Sequence, residues 1–103
     1  MKKTTQMTAI PMLATVLAGC GGPNEYRPAE GMSAADIFSN ACSACHGEKG
    51  NGKLGFLLRI AGTESSAEEI VDIIGSGGYI MPSFPNVSDA QRKLIAAYVK
   101  ALP

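Results

Sequence analysis

The sequence holds a single histidine and three cysteines in 103 residues, and its charges cancel, with nine Lys and Arg against nine Asp and Glu. With no basic excess to neutralise phosphates, no nucleic-acid partner is expected. No segment alternates apolar and polar residues as a half-buried strand would, and there is no internal repeat. No apolar run reaches the roughly 20 residues that a bilayer-spanning helix takes. What remains is a chain of at most one domain, all-α by its patterning, with too few residues to bury a large core. Domains of this size are commonly stapled by disulfides, a metal or a cofactor.

The N-terminus reads as an export signal. Lys2 and Lys3 are followed by a mostly apolar run, Met7 to Leu17, interrupted by Pro11, and then by Leu17-Ala18-Gly19-Cys20. Small residues stand where a signal peptidase would cut. The ending LAGC resembles the lipobox of bacterial lipoproteins. That resemblance implies a diacylglycerol thioether on Cys20, cleavage before it, and acylation of the new amino terminus. Several acyl chains, each gaining about 0.8 kcal/mol per buried methylene, make a lasting anchor where one does not. The expected product is exported and lipid-anchored to a bacterial membrane, facing the periplasm or the outer side of the cell membrane. Loss of residues 1–19 leaves 84 residues with seven basic and nine acidic side chains, a net charge of −2.

Residues 20–32 are rich in glycine and proline and lack apolar periodicity, which predicts a flexible tether between lipid and domain. The domain itself is expected over residues 33–103. Ser33 with Asp36 resembles a capping box, and Ala35, Phe38, Ala41 and Cys42 follow on one helical face. Ser65 with Glu68 repeats the device ahead of Ala67, Ile70, Val71 and Ile74, and Gly75 stands where a glycine would end that helix. Ser88 with Gln91 opens a last helix whose stripe is Leu94, Ile95, Tyr98, Val99 and Leu102. A shorter helical turn is expected from Leu54 to Ile60. Two glycine-rich loops, Gly47 to Gly55 and Gly75 to Pro85, separate these segments. Such short helices make a poor bundle alone and suit wrapping around something flat and apolar.

The chemistry concentrates in Cys42-Ser43-Ala44-Cys45-His46. Cys-x-x-Cys followed at once by His is the attachment signature of c-type haem. Two thiols three positions apart reach two vinyl groups of one porphyrin, and the next residue offers its imidazole to the iron. A structural zinc site needs four ligands, and the domain has only these three of soft type. A thioredoxin-like couple wants a βαβ context. A Cys42–Cys45 disulfide would leave His46 without a purpose. A second axial ligand cannot be histidine. Met81, in the second glycine loop and followed by Pro82, is the candidate; the alternative is a methionine used as core filler.

With CSACHG, GEKGNG and YIMPSF in view, the domain resembles class I c-type cytochromes of the small single-haem bacterial kind, from about Ala34 to Leu102. The resemblance implies a cytochrome c fold of three to four short helices around one covalently bound haem c. It implies thioethers at Cys42 and Cys45, iron ligation by His46 and Met81, and crossing of the first and last helices with Ala34 and Phe38 against Tyr98. Two departures stand out. Alanine replaces the usual glycine at the crossing, and no proline follows the haem loop to supply the carbonyl that orients the ligating imidazole. Phe56, Leu57, Leu58, Ile60, Tyr79 and Phe84 are candidates for the pocket wall, and ordinary core packing accounts for each equally well.

An iron with both axial positions filled by side chains exchanges single electrons and does not readily bind oxygen, so an electron carrier rather than an enzyme is expected. Its expected partners are membrane redox proteins: a quinol-oxidising complex, an oxidase or a reductase. A monomer held to the membrane through its lipid anchor is expected. Lys49, Lys53 and Arg59 on one side and Glu64, Glu68, Glu69 and Asp72 on the other form either solvated faces or a dipole that steers docking. The rival functions are a haem-based sensor with a labile Met81 and a fixed haem subunit of a larger oxidoreductase.

Overall fold

The computed structural model describes residues 22–53 and 58–103. Cys20, the remainder of the export signal and residues 54–57, among them Phe56 and Leu57, lie outside the described residues. The described residues form four helices: α1 (Ala34–Ala41), α2 (Ser43–His46), α3 (Ala67–Ser76) and α4 (Asp89–Lys100). The described residues form no strand, and Pro23 and Ser83 make an isolated parallel bridge. The all-α expectation holds. Among the described residues, no helix is long and apolar enough to cross a membrane.

Each of the three longer helices starts on a serine whose side chain satisfies an amide that the helix itself leaves free. Ser33 Oγ accepts from the Asp36 amide at 3.1 Å. At α4, Ser88 Oγ accepts from Gln91 N at 3.1 Å while Gln91 Oε1 accepts from Ser88 N at 3.0 Å, a reciprocal capping box. The box that opens α3 is Ser66 with Glu69, not Ser65 with Glu68. Ser-Ser and Glu-Glu doublets permit both registers, and Ser65 instead donates its amide to Thr63 Oγ1 at 3.2 Å.

The end of α3 also lies later than the pattern implies. Gly75 is inside the helix, where a Cβ would come within 2.5 Å of Arg92 Nη1. Glycine there admits the Arg92 guanidinium, which crosses from α4 and donates to the Phe84 carbonyl at 3.1 Å. Gly77, with φ +74, ends the helix.

The core joins Ile37 and Phe38 of α1, Ile70 and Ile74 of α3, and Ile95, Ala96 and Val99 of α4, with Phe84 and Val87 from the loop between α3 and α4. On α1 the buried stripe is carried by Ile37 and Phe38, flanked by half-buried Ala34 and Ala41, whereas Ala35 is exposed. Spacing of three, four and seven places Ala34, Ile37, Phe38 and Ala41 on one face and turns Ala35 outward. On α4, Leu94 is 54% exposed and so leaves the expected stripe, while Ile95 and Val99 point in. Helix α4 packs on both α1 and α3. At the first of these contacts Phe38 and Tyr98 meet with ring centroids 5.3 Å apart and planes tilted by 52°, as the expected crossing requires. Leu58 to Ile60, the described part of the expected short helical turn, is not helical.

Residues 24–32, expected to be a flexible tether, are packed on the domain. Asn24 N donates to Ser83 O at 2.8 Å, Gln91 Nε2 donates to Ala29 O at 3.1 Å, and Pro28 is buried. Tyr26 Oη donates to Met32 Sδ at 3.5 Å and accepts from Asn40 Nδ2 at 3.2 Å. Backbone and side-chain hydrogen bonds to residues far along the chain, with Tyr26 and Met32 packed singly against the core, hold this segment, so hydrophobic periodicity carries no sign of it.

The aromatic contact gives a measurable test of the crossing. In urea unfolding of Phe38→Leu, Tyr98→Leu and the double variant, the two losses are expected to be non-additive by about 0.5–1.5 kcal/mol. Additive losses would mean that the rings do not support one another.

Candidate haem site

Cys42 closes α1 and opens α2. Its amide donates to Phe38 O at 2.9 Å, and its carbonyl accepts from Cys45 N at 3.2 Å and His46 N at 3.0 Å. Cys42, Cys45 and His46 therefore stand at i, i+3 and i+4 of one helical turn, on the same face. No disulfide joins Cys42 to Cys45. Burial first, and the neighbouring Cys45 second, push the Cys42 thiol up to about 11, so it is protonated at neutral pH. A buried, protonated thiol is a poor disulfide-exchange nucleophile.

The chain reverses immediately after His46. Gly47 has φ +81, and a Cβ on it would lie 2.8 Å from Gly52 O, so only glycine fits. Gly52 N donates to His46 O at 2.7 Å, closing the loop, and Gly50 O accepts from both Ile60 N and Ala61 N at 2.8 and 2.9 Å. This folding returns Leu58 to the histidine, where the Leu58 carbonyl lies 2.6 Å from His46 Nδ1. A carbonyl can only accept, so Nδ1 carries the proton and Nε2 keeps its lone pair for a metal. Leu58 supplies the carbonyl for which the sequence offers no proline. It does so at φ +62, a left-handed conformation that costs a leucine about 1–2 kcal/mol.

Met81 comes from the loop between α3 and α4. Gly77 permits that loop to double back, since a Cβ there would meet Ser83 N at 2.8 Å, and Gly78 N donates to Met81 O at 2.9 Å. Met81, His46 and Cys42 line one cavity of about 170 Å³ whose wall includes Phe38, Ile70, Ile74, Ile95 and Val99. A smaller cavity of about 60 Å³ shares the same three residues and adds Cys45, Leu58, Pro82 and Phe84. Of the proposed wall residues, Leu58, Ile60 and Phe84 take their places. Tyr79 lines neither cavity and is fully exposed.

This donor set suits a haem. One nitrogen and one thioether reach a cavity with an aliphatic wall, and two thiols stand beside it on the turn that carries the nitrogen. It does not suit zinc: among the described residues no group of three or more His, Cys, Asp or Glu side chains could hold a metal ion.

The family model described as cytochrome c oxidase, cbb3-type, subunit III matches residues 29–99. The chain belongs to that family. It is a small class I c-type cytochrome, its cofactor is one covalently bound haem c, and its chemistry is haem-based electron transfer. Solved structures share its fold. The KustC0563 c-type cytochrome aligns with a TM-score of 0.59 at 21% identity, over 69% of this chain and 98% of that one. A mutant of OmcF gives 0.59 at 21% identity, over 70% and 96%. Cytochrome CL from Methylophaga aminisulfidivorans MPT gives 0.50 at 24% identity, over 66% of this chain and 51% of that one. No curated protein matches the sequence.

The cytochrome's cavity thus holds residues that the sequence marks only as helix stripes, Ile70, Ile74, Ile95 and Val99, and one group that it does not mark at all, the Leu58 carbonyl. That carbonyl can be tested. Leu58→Gly keeps access to positive φ, so a hydrogen-bonded His46 Nδ1–H resonance is expected to persist in NMR spectra. Leu58→Pro fixes φ near −65° and turns the carbonyl away, so the resonance is expected to exchange with water and vanish. Its persistence in the proline variant would assign the bond to another acceptor.

Proposed function

We propose that the cytochrome is an exported, lipid-anchored carrier of single electrons, with thioether bonds at Cys42 and Cys45 and iron ligation by His46 and Met81. The supporting observation is that His46, at the end of α2, and Met81, in the loop between α3 and α4, line the same apolar cavity together with Cys42. The anchor rests on Leu17-Ala18-Gly19-Cys20, which ends just before the described residues begin.

The haem supplies a one-electron couple. The chain supplies its surroundings. His46, fixed by Leu58, offers Nε2 in one orientation, so the donor atom need not reorient between oxidation states. Met81 would supply the second protein ligand to the iron and so exclude small ligands, which suits a carrier and not an enzyme with its own substrate. The aliphatic wall from α3 and α4 disfavours net charge and so favours the reduced state. Cys45 is exposed, as are Leu58 and Ile80 beside the smaller cavity, so that is the side on which a bound haem would exchange electrons with a partner. The partners are membrane redox proteins, a quinol-oxidising complex upstream and an oxidase or reductase downstream. A tether confines the domain near them and raises its effective concentration.

The family description also supports a second reading, a haem subunit held permanently in an oxidase complex. Purification from membranes separates the two. A free monomer supports the carrier, and recovery only with other subunits supports the fixed subunit.

An absorption spectrum of the matured protein tests the ligands. A low-spin spectrum with the weak far-red methionine–iron band, unmoved by CO when reduced, is expected, with the band lost in Met81→Ala. A high-spin spectrum or a large CO shift in the unaltered protein would remove Met81 as a firm ligand and favour a sensor. For the anchor, Cys20→Ser is expected to move the protein from the membrane to the soluble fraction, and retention on the membrane would overturn lipid attachment.

A further inference from the structure

Residues 23–29 lie across the Met81 loop, and all but the last precede the segment that the family model matches. Pro23 bridges to Ser83, and the Asn24 amide donates to the Ser83 carbonyl at 2.8 Å, two residues beyond Met81. Asn86 binds the same segment twice. Its Nδ2 donates to Glu25 O at 3.1 Å, and its Oδ1 accepts from Arg27 Nη2 at 3.1 Å. Asn24 Oδ1 accepts from the Tyr26 amide at 2.8 Å, which holds the local turn. The other supports of the loop lie on its inner side: Phe84 N donates to Ile74 O at 2.8 Å, and Phe84 O accepts from Arg92 Nη2. Among the described residues nothing covers the tip, where Tyr79 and Ile80 are 104% and 60% exposed.

We infer that residues 23–29 form a strap that positions Met81, so that the strap and not the loop alone sets how firmly the methionine side of the haem stays closed. The inference rests on Met81 as ligand. Pro82 has no N–H, and Met81 O is tied back to Gly78 within the loop's own turn. Ser83 O is therefore where the strap fastens the stretch just after Met81, and the neighbouring Phe84 contacts fasten it to the helices. Without the strap, the segment 78–83 keeps only its internal turn and the packing of Met81 against the core, and can swing outward more readily. Asn24 and Asn86 are positioning residues: neither side chain lines the cavity that holds His46 and Met81.

The test uses the full matured haem protein with Asn24→Pro, which removes the amide donor, and Asn86→Leu, which removes both side-chain bonds. Imidazole is the probe, because it competes for the position that Met81 holds. The double variant is expected to lose the far-red band at about tenfold lower imidazole and to take up imidazole about tenfold faster. A control variant, Val71→Ala, lowers stability away from the strap and is expected to leave both values within about twofold. Asn86→Asp, which keeps the acceptor for Arg27 and loses the donor to Glu25, is expected to fall between. Equal imidazole uptake in the double variant and the unaltered protein would overturn the proposal.

If the double variant does not fold, amide hydrogen exchange of the unaltered protein decides. Asn24, Gly78 and Phe84 amides are expected to open together with one protection factor. Asn24 exchanging at least about a hundredfold faster than Gly78 would show a frayed strap that positions nothing. Absence of the far-red band from the unaltered protein would refute Met81 ligation, and the exchange result would still judge the strap.

Discussion

Cys42 serves two helices at once, ending α1 through its amide and starting α2 through its carbonyl. Because Cys42 is the single residue between the two helices, the register of α1 is passed directly to Cys45 and His46. The orientation of α1 is in turn fixed by Phe38, fully buried and stacked at a tilt on Tyr98. The packing of two helices thus determines where an imidazole and two thiols stand. Gly47 then removes the chain from the site in one step, in a conformation and a space that no side chain tolerates. Loosening the α1–α4 crossing would therefore be felt at His46 before it was felt at the surface.

The two sides of the cavity are built differently. On the histidine side the bonds are local, and Gly50 gathers Ile60 and Ala61 so that the Leu58 carbonyl meets Nδ1. The left-handed backbone at Leu58 is a local cost accepted for that single bond. On the methionine side a loop of glycines is held by three separate parts of the chain: α3 through Ile74, α4 through Arg92, and the N-terminal strap through Asn24. Gly75 belongs to this second arrangement. Its missing side chain is the space through which Arg92 reaches Phe84.

Sequence patterning reveals the parts of this design that repeat or cap. Ser33 and Ser88 mark helix starts correctly because a capping serine and its partner three residues later are local chemistry. The α3 start is displaced by one residue because doublets of serine and glutamate satisfy the same rule twice. Gly75 misleads for a different reason: glycine as a terminator and glycine as a space for a crossing side chain look identical until the crossing side chain is placed. The attachment turn, the helical class and Met81 in a loop are all legible from residue types. The Leu58 carbonyl and the strap are not, since one is a backbone atom and the other is held by backbone and side-chain hydrogen bonds to residues far along the chain.

Sequence separation adds an ordering in time. The strap's side-chain contacts join residues 59 to 62 apart, from Arg27 and Glu25 to Asn86 and from Ala29 to Gln91. The turn that presents Cys42, Cys45 and His46 is closed by bonds between near neighbours. Loop-closure entropy rises with separation, so near-neighbour bonds form readily and long ones wait for the rest of the chain. A segment made before the attachment turn is then fixed after it. Covalent attachment of a bulky planar group needs exposed thiols and an open cavity, and this order of assembly provides both before the strap is fastened.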